Sequence, residues 1–207
     1  MKHALIKLEN ISINFNDRNI LENFSLEILK GEKILITGSS GKGKTTLLKA
    51  LLGFKQIKMG EIYIKNQLLT EDNISQIRND ITYLPQNIPF RNLNIKSLIS
   101  EILSYDTNLN ISLTDEKITE LLQEFSLDSS IILKKFNDLS GGEKQRFAFI
   151  IAIILDRDIW IFDEITSSLD QEMKEKIILY IKNTNKTVII VSHDTVKAFE
   201  MFRRIEL

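Results

Sequence analysis

Residues 38–45 read GSSGKGKT, a glycine-rich octapeptide that closes on Lys44 and Thr45. The spacing fits G-x-x-x-x-G-K-[ST], the loop that wraps a nucleotide's phosphate chain. Gly38, Gly41 and Gly43 allow tight turns that aim backbone N–H groups at an anion, and a helix start just behind them adds partial positive charge. Lys44 has the reach for the β- and γ-phosphates, and the Thr45 hydroxyl suits an Mg²⁺ shell. Ser39, Ser40 and Thr46 complete the loop, and Lys42 reads as an extra cation within it, turned to solvent. Such a site needs a carboxylate at the end of another buried strand to hold the metal. IWIFDE, residues 159–164, supplies it: Asp163 is the metal-side acid, and Glu164 is placed to polarise an attacking water.

The elements around these residues follow from apolar periodicity. Lys33–Thr37 is a compact apolar run ending at Gly38, as a buried parallel strand does. Leu47, Leu48, Leu51 and Leu52 then fall at helical spacing, with Gly53 as C-cap. Alternation predicts short strands over 5–8, 11–15 and 24–28, and further strands from Gly60 and over Ile81–Leu84. From about Asn92 to Asp156 strand patterns vanish and helices are predicted over Ile95–Leu103, 116–125 and Gly141–Leu155. Strand character resumes over 158–162 and Thr187–Val191, around a helix over 171–182, and ends with a short helix and a strand near 204–207. The pattern is α/β: a mostly parallel sheet flanked by helices, with N-terminal antiparallel strands and an inserted helical subdomain. The whole chain is one domain, its core residues 1–91 and 157–207 and its helical subdomain 92–156.

Three further stretches narrow the reading. LSGGE, residues 139–143, opens a helix on a natural N-cap, Ser140, and two glycines, which makes a second anion site. SSLD (167–170) follows the acidic pair, and VSHD (191–194) ends a later strand. Taken together the chain resembles the nucleotide-binding domain of ABC (ATP-binding cassette) ATPases over nearly its whole length. GSSGKGKTT is similar to the Walker A motif, Gln86 in YLPQN to the Q-loop glutamine, and LSGGE to the family signature. IWIFDE is similar to Walker B, SSLD to the D-loop, His193 to the switch histidine, and Phe15 to the aromatic residue that stacks on adenine. The resemblance implies a P-loop NTPase core hydrolysing ATP with Mg²⁺. It implies two cassettes head to tail, each ATP between one Walker A and the partner's signature. Ser140, Gly141 and Gly142 are then expected at the partner's nucleotide, Asp170 across the interface, Glu164 as general base, and His193 at the γ-phosphate. Gln86 is expected to sense the metal and the γ-phosphate, and Lys44 to contact the phosphates. Two departures stand out: Phe15 replaces the usual Tyr, and Ile165 the usual Pro after the acid.

Composition sets the limits. The 207 residues carry 27 Lys plus Arg against 28 Asp plus Glu, so no global basic footprint suggests nucleic acid as a partner. Cysteine is absent, which excludes disulfides, zinc–thiolate sites and cysteine nucleophiles. The longest apolar run, Phe147 to Leu155, is well short of the about 20 residues a membrane span needs. The resemblance implies the ATPase subunit of an ABC transporter, expected to be cytoplasmic and held at the inner face of the membrane through an integral membrane subunit. A homodimer is favoured. The alternative is a soluble ABC-type ATPase acting in nucleic-acid, ribosome or cofactor-assembly work. Trp160 reads as core, Lys134 and Lys135 as a solvated face, and Arg146 as half of a structural ion pair.

Overall fold

The computed structural model describes residues 4–15, 18–39, 41–194 and 196–207, without the side chains of Phe15, Arg18 and Ala198. Two sheets form. The first has the order β2-β1-β4-β5 and is antiparallel, built from β1 (Ala4–Phe15), β2 (Arg18–Leu29), β4 (Met59–Ile64) and β5 (Gln67–Leu68). The second has the order β6-β7-β8-β3-β9 and is parallel throughout, from β3 (Lys33–Thr37), β6 (Ile81–Leu84), β7 (Ile159–Asp163), β8 (Thr187–Val191) and β9 (Arg203–Glu206).

Strand β7 shows why the parallel sheet is buried on both faces. Ile159 and Ile161 pack with the antiparallel sheet and α1 (Lys44–Leu51), whereas Trp160 and Phe162 pack with the helices of the opposite layer. Those helices are α3 (Ile95–Leu103), α4 (Asp115–Glu124), α5 (Gly141–Leu155) and α6 (Gln171–Asn183). Phe149 of α5 is their hub, edge-on to Phe125, Trp160, Phe162 and Tyr180. Trp160 is core, as its place in an apolar strand predicts. Between β6 and β7 the regular elements are helical, apart from one isolated bridge, Asn94 to Lys135.

Several local expectations change. The two short strands predicted over 5–15 are one strand, β1. Asn10 takes a left-handed φ of 49° and the register shifts between Leu8 and Ile11, so a bulge interrupts the alternation without ending the strand. The five-residue helix α2 (Ile74–Arg78) and the two-residue β5 carry too little periodicity to be read in advance. The short helix after β8 is a 3-10 turn, Lys197–Met201. Arg146 makes no ion pair among the described residues. It donates to the carbonyls of Phe125 and Ser126, which the end of α4 leaves without helical partners, and to that of Gly142 one turn back in α5. Lys134 and Lys135 are exposed as expected, and Lys134 lies 3.9 Å from Glu143.

Candidate active site

A parallel sheet delivers its loops to one edge, and here the carboxyl ends of β3, β6, β7 and β8 do so. The loop after β3 turns through positive φ at Gly38 (142°) and Gly43 (92°). A Cβ on Gly38 would stand 2.6 Å from the Leu207 carbonyl oxygen, and one on Gly43 would stand 2.0 Å from Ile20 Cγ2. Both positions therefore demand glycine on conformation and on space. Lys44 opens α1 and is 7% exposed; its ammonium donates to the carbonyls of Gly38 at 2.9 Å and Ser39 at 3.0 Å. Gly41 and Lys42 are exposed, in keeping with a solvated Lys42. Ser40 and the side chain of Phe15, the residue expected to stack on adenine, lie outside the described residues.

The β7 acids meet this loop. Thr45 Oγ1 donates to Asp163 Oδ2 at 2.8 Å, and Asp163 is 3% exposed. Burial and the negative charge of Asp163 push the Tyr83 phenol up to about 12. Glu164 sits at φ 55°, a left-handed backbone that non-glycine residues seldom adopt, held by its N–H on Val191 O at 2.9 Å. Gln86, 78 residues away in sequence, donates Nε2 to Glu164 Oε2 at 2.9 Å. His193, half exposed, places Nε2 3.7 Å from Glu164 Oε1. A cavity of about 390 Å³ is lined by Ile20, Gly41, Gly43, Lys44, Thr45, Thr46, Gln86, Glu164, Val191 and His193. The paired oxygens of Thr45 and Asp163, with Gln86 on the wall of the same cavity as Thr45, are of the hard kind that suits Mg²⁺.

Ser140, Gly141, Gly142 and Asp170 do not line this cavity. Ser140 caps α5 in a reciprocal box: its Oγ accepts from Glu143 N at 3.2 Å while Glu143 Oε2 accepts from Ser140 N at 2.7 Å. The bond from the Ser140 N–H holds the Glu143 carboxyl below its ordinary value against the opposing effect of burial. The Ser140 hydroxyl proton stays available to an acceptor. Gly141 and Gly142 lie against Ser168; a Cβ on Gly142 would reach 3.1 Å from its carbonyl oxygen. Asp170 caps α6, accepting from Met173 N at 2.8 Å. Ser140–Gly142 and Asp170 thus stand apart from the cavity that Lys44, Thr45, Gln86, Glu164 and His193 line.

Two groups escaped the sequence reading. Gln145, only 5% exposed, donates to Ser167 Oγ at 2.9 Å and Glu164 O at 3.3 Å and accepts from Ser168 N at 2.9 Å. Asp194 accepts from Thr166 Oγ1 at 2.6 Å and from Lys174 Nζ at 2.5 Å. Partial burial pushes the Asp194 carboxyl up, but these bonds and the Lys174 charge outweigh it and hold the group below its ordinary value. Gln145 lies between Lys144 and Arg146 in the polar first turns of α5, so nothing in the sequence marks it out from its neighbours.

Comparison with known proteins agrees with this geometry. A family profile described as ABC transporter matches residues 21–167. The energy-coupling factor transporter ATP-binding protein EcfA1 of Mycoplasmopsis synoviae (strain 53) is 35% identical over 201 residues, 92% of this chain and 74% of that protein. EcfA1 of Staphylococcus aureus (strain MRSA252) is 30% identical over 212 residues, 96% and 76% of the two chains. Among solved structures, a dimeric post-hydrolysis state of the ATP-binding cassette MJ0796 with ADP and Pi has TM-score 0.78 at 29% identity, covering 98% of this chain and 94% of that one. A bacterial Atm1-family ABC exporter with ATP bound shares the fold, with TM-score 0.83 at 23% identity; this chain covers 98% of its own length but 36% of the exporter's. On the profile match over residues 21–167 and the likeness to these ATP-binding proteins, the chain belongs to the ABC transporter family, as an ATP-binding and ATP-hydrolysing subunit.

Proposed function

We propose that this chain works as one half of a cassette dimer docked on an integral membrane subunit at the cytoplasmic face of the cell membrane, a homodimer being the simplest form. The observation that carries the reading is the separation of the two phosphate-directed groups. The cavity lined by Lys44, Thr45, Gln86, Glu164 and His193 excludes the Ser140–Gly142 helix start, so a second chain is needed to bring a signature to each nucleotide. Among the described residues no helix is long and apolar enough to cross a membrane, so transport requires a partner that does.

In this reading Lys44 leaves the carbonyls of Gly38 and Ser39 for β- and γ-phosphate oxygens, joined by the N–H groups of residues 38–46. Phe15 stacks on adenine. Thr45, Asp163 and Gln86 would hold Mg²⁺, whose charge would offset that of the phosphates. Glu164 takes the proton of the attacking water as its oxygen bonds to the γ-phosphorus and the bond to the β-phosphate oxygen breaks. Gln86 orients the carboxylate it already touches, and His193 holds the water and the γ-phosphate. Ser140, Gly141 and Gly142 serve the partner's ATP, with Asp170 at the interface. Residues 92–156 act as the helical subdomain, and residues 1–91 and 157–207 as the core.

The membrane partner is assigned to the face around residues 90–98, which follows Gln86 directly. There Phe90 is edge-on to Phe136 and Phe147, Leu93 is half-buried against the core, and Arg91 pairs with Glu101 at 2.6 Å. Leu93→Glu should release the chain from the membrane protein it co-purifies with and leave ATP binding intact. Co-purification that survives the substitution rejects this docking face, and a wild-type chain that copurifies with no membrane protein rejects the transport reading.

A further inference from the structure

Asp194 follows His193 directly, and its carboxylate is the meeting point of three segments. Thr166, two residues beyond Glu164 and with no exposed surface, donates to Oδ2 at 2.6 Å. Lys174, in the second turn of α6, pairs with Oδ1 at 2.5 Å, and both side chains are largely shielded. The Asp194 N–H donates to the buried Ser192 Oγ at 3.0 Å, which fixes the backbone on the other side of His193. The lysine is in turn set by its helix: Lys174 N donates to Asp170 O at 3.0 Å, in the turn that Asp170 caps. One carboxylate therefore ties the exit of β7, the exit of β8 and the start of α6. Among the described residues the half-exposed His193 ring has one polar side-chain contact, to Glu164 at 3.7 Å.

We propose that Asp194, braced by Thr166 and Lys174, is a positioning residue that sets His193 against Glu164 at the hydrolysis site. It touches no substrate. Its action is to hold two loops in one register, so that the imidazole and the carboxylate face the same water. Charge-assisted bonds suit that task, being shorter and stronger than neutral ones. Glu164 needs such support because its left-handed backbone persists only where neighbours over-determine it. The proposal rests on the ATPase reading and deepens it.

The test uses the full chain with Asp194→Asn, Lys174→Met, Lys174→Arg and Thr166→Val. Misplacing catalytic groups by about 1 Å can cost on the order of a hundredfold in rate. Asp194→Asn and Lys174→Met should thus lower kcat for ATP by about tenfold or more, with KM within about twofold and with Lys174→Arg recovering most of the loss. In a His193→Ala background, Asp194→Asn should lower kcat by clearly less than it does in the wild-type chain. A second readout needs no turnover. The chain has two histidines, His3 and His193, so the His193 ring proton resonances can be assigned by substitution. Asp194→Asn and Thr166→Val should broaden or shift them in the nucleotide-free chain. Unchanged His193 resonances, or rate losses that multiply in full on His193→Ala, overturn the brace. A wild-type chain that turns over no ATP overturns the catalytic reading instead, and the resonances still decide the brace. Should Asp194→Asn fail to fold, Thr166→Val and Lys174→Met carry the same comparison.

Discussion

Gln145→Leu is the substitution whose cost the structure sets most directly. Leucine keeps most of the volume, so little cavity term arises, but all three polar contacts go. Two of them, to Ser167 Oγ and from Ser168 N, have 2.9 Å geometry; the third, to the Glu164 carbonyl, is long at 3.3 Å. Net hydrogen bonds contribute about 0.5–1.5 kcal/mol each, and the long one the least, for a loss of about 2–3 kcal/mol. For a chain of this length about 1 kcal/mol moves Tm by roughly 2–4 °C, so a fall of roughly 4–12 °C is expected in a calorimetric melt. The effect reaches catalysis as well, because Gln145 ties the signature helix to the residues just after Glu164, whose left-handed backbone needs support. Steady-state turnover should drop while ATP affinity of the isolated chain stays within about twofold, since Gln145 does not line the nucleotide cavity. A melt within 2 °C of wild type (roughly 0.5–1 kcal/mol) together with unchanged turnover refutes the reasoning.

Two further outcomes follow from the same geometry. The Glu143 carboxyl is held below its ordinary value of 4.5, so its contribution is complete above the unfolded value and is lost as pH falls through the lower folded one. Glu143→Gln should therefore be less stable than wild type in urea at neutral pH and equal to it in acid; a difference independent of pH rejects the capping-box reading. Thr45→Val strips Asp163 of its hydroxyl donor and the metal shell of an oxygen, so the Mg²⁺-dependent part of ATP affinity should fall by about tenfold, about 1.4 kcal/mol, by calorimetry with and without the metal. Equal affinities in Mg²⁺ reject Thr45 as a ligand.

The sequence made the local parts legible and hid the long-range ones. The phosphate loop is a spacing rule within eight residues, and the run before Asp163 announces a strand buried on both faces, which the packing of Ile161 and Phe162 on opposite layers bears out. The α5 start is readable from Ser140, and the structure adds Glu143 as its reciprocal partner. By contrast, the contact of Gln86 with Glu164 spans 78 residues, and no local pattern encodes it. The bulge at Asn10 split one strand into two because alternation fails wherever a residue is inserted. Arg146 drew an ionic reading because guanidinium groups usually seek carboxylates, whereas its nearest acceptors are the carbonyls at the end of α4. Thr166, Lys174 and Asp194 are ordinary polar residues in sequence; only the convergence of three segments gives them a common task.

The central claim is that Glu164 is the base of an ATP-hydrolysing site completed by a second chain. Glu164→Gln keeps the size and the hydrogen-bonding reach toward Gln86 and removes the proton acceptor. A general base contributes typically about 10²–10⁴-fold, so single-turnover hydrolysis by the variant should fall by at least about a hundredfold. With ATP and Mg²⁺ the variant should sediment as a dimer with nucleotide trapped between its chains. Hydrolysis at the wild-type rate, or a monomer that holds ATP without pairing, would contradict the account.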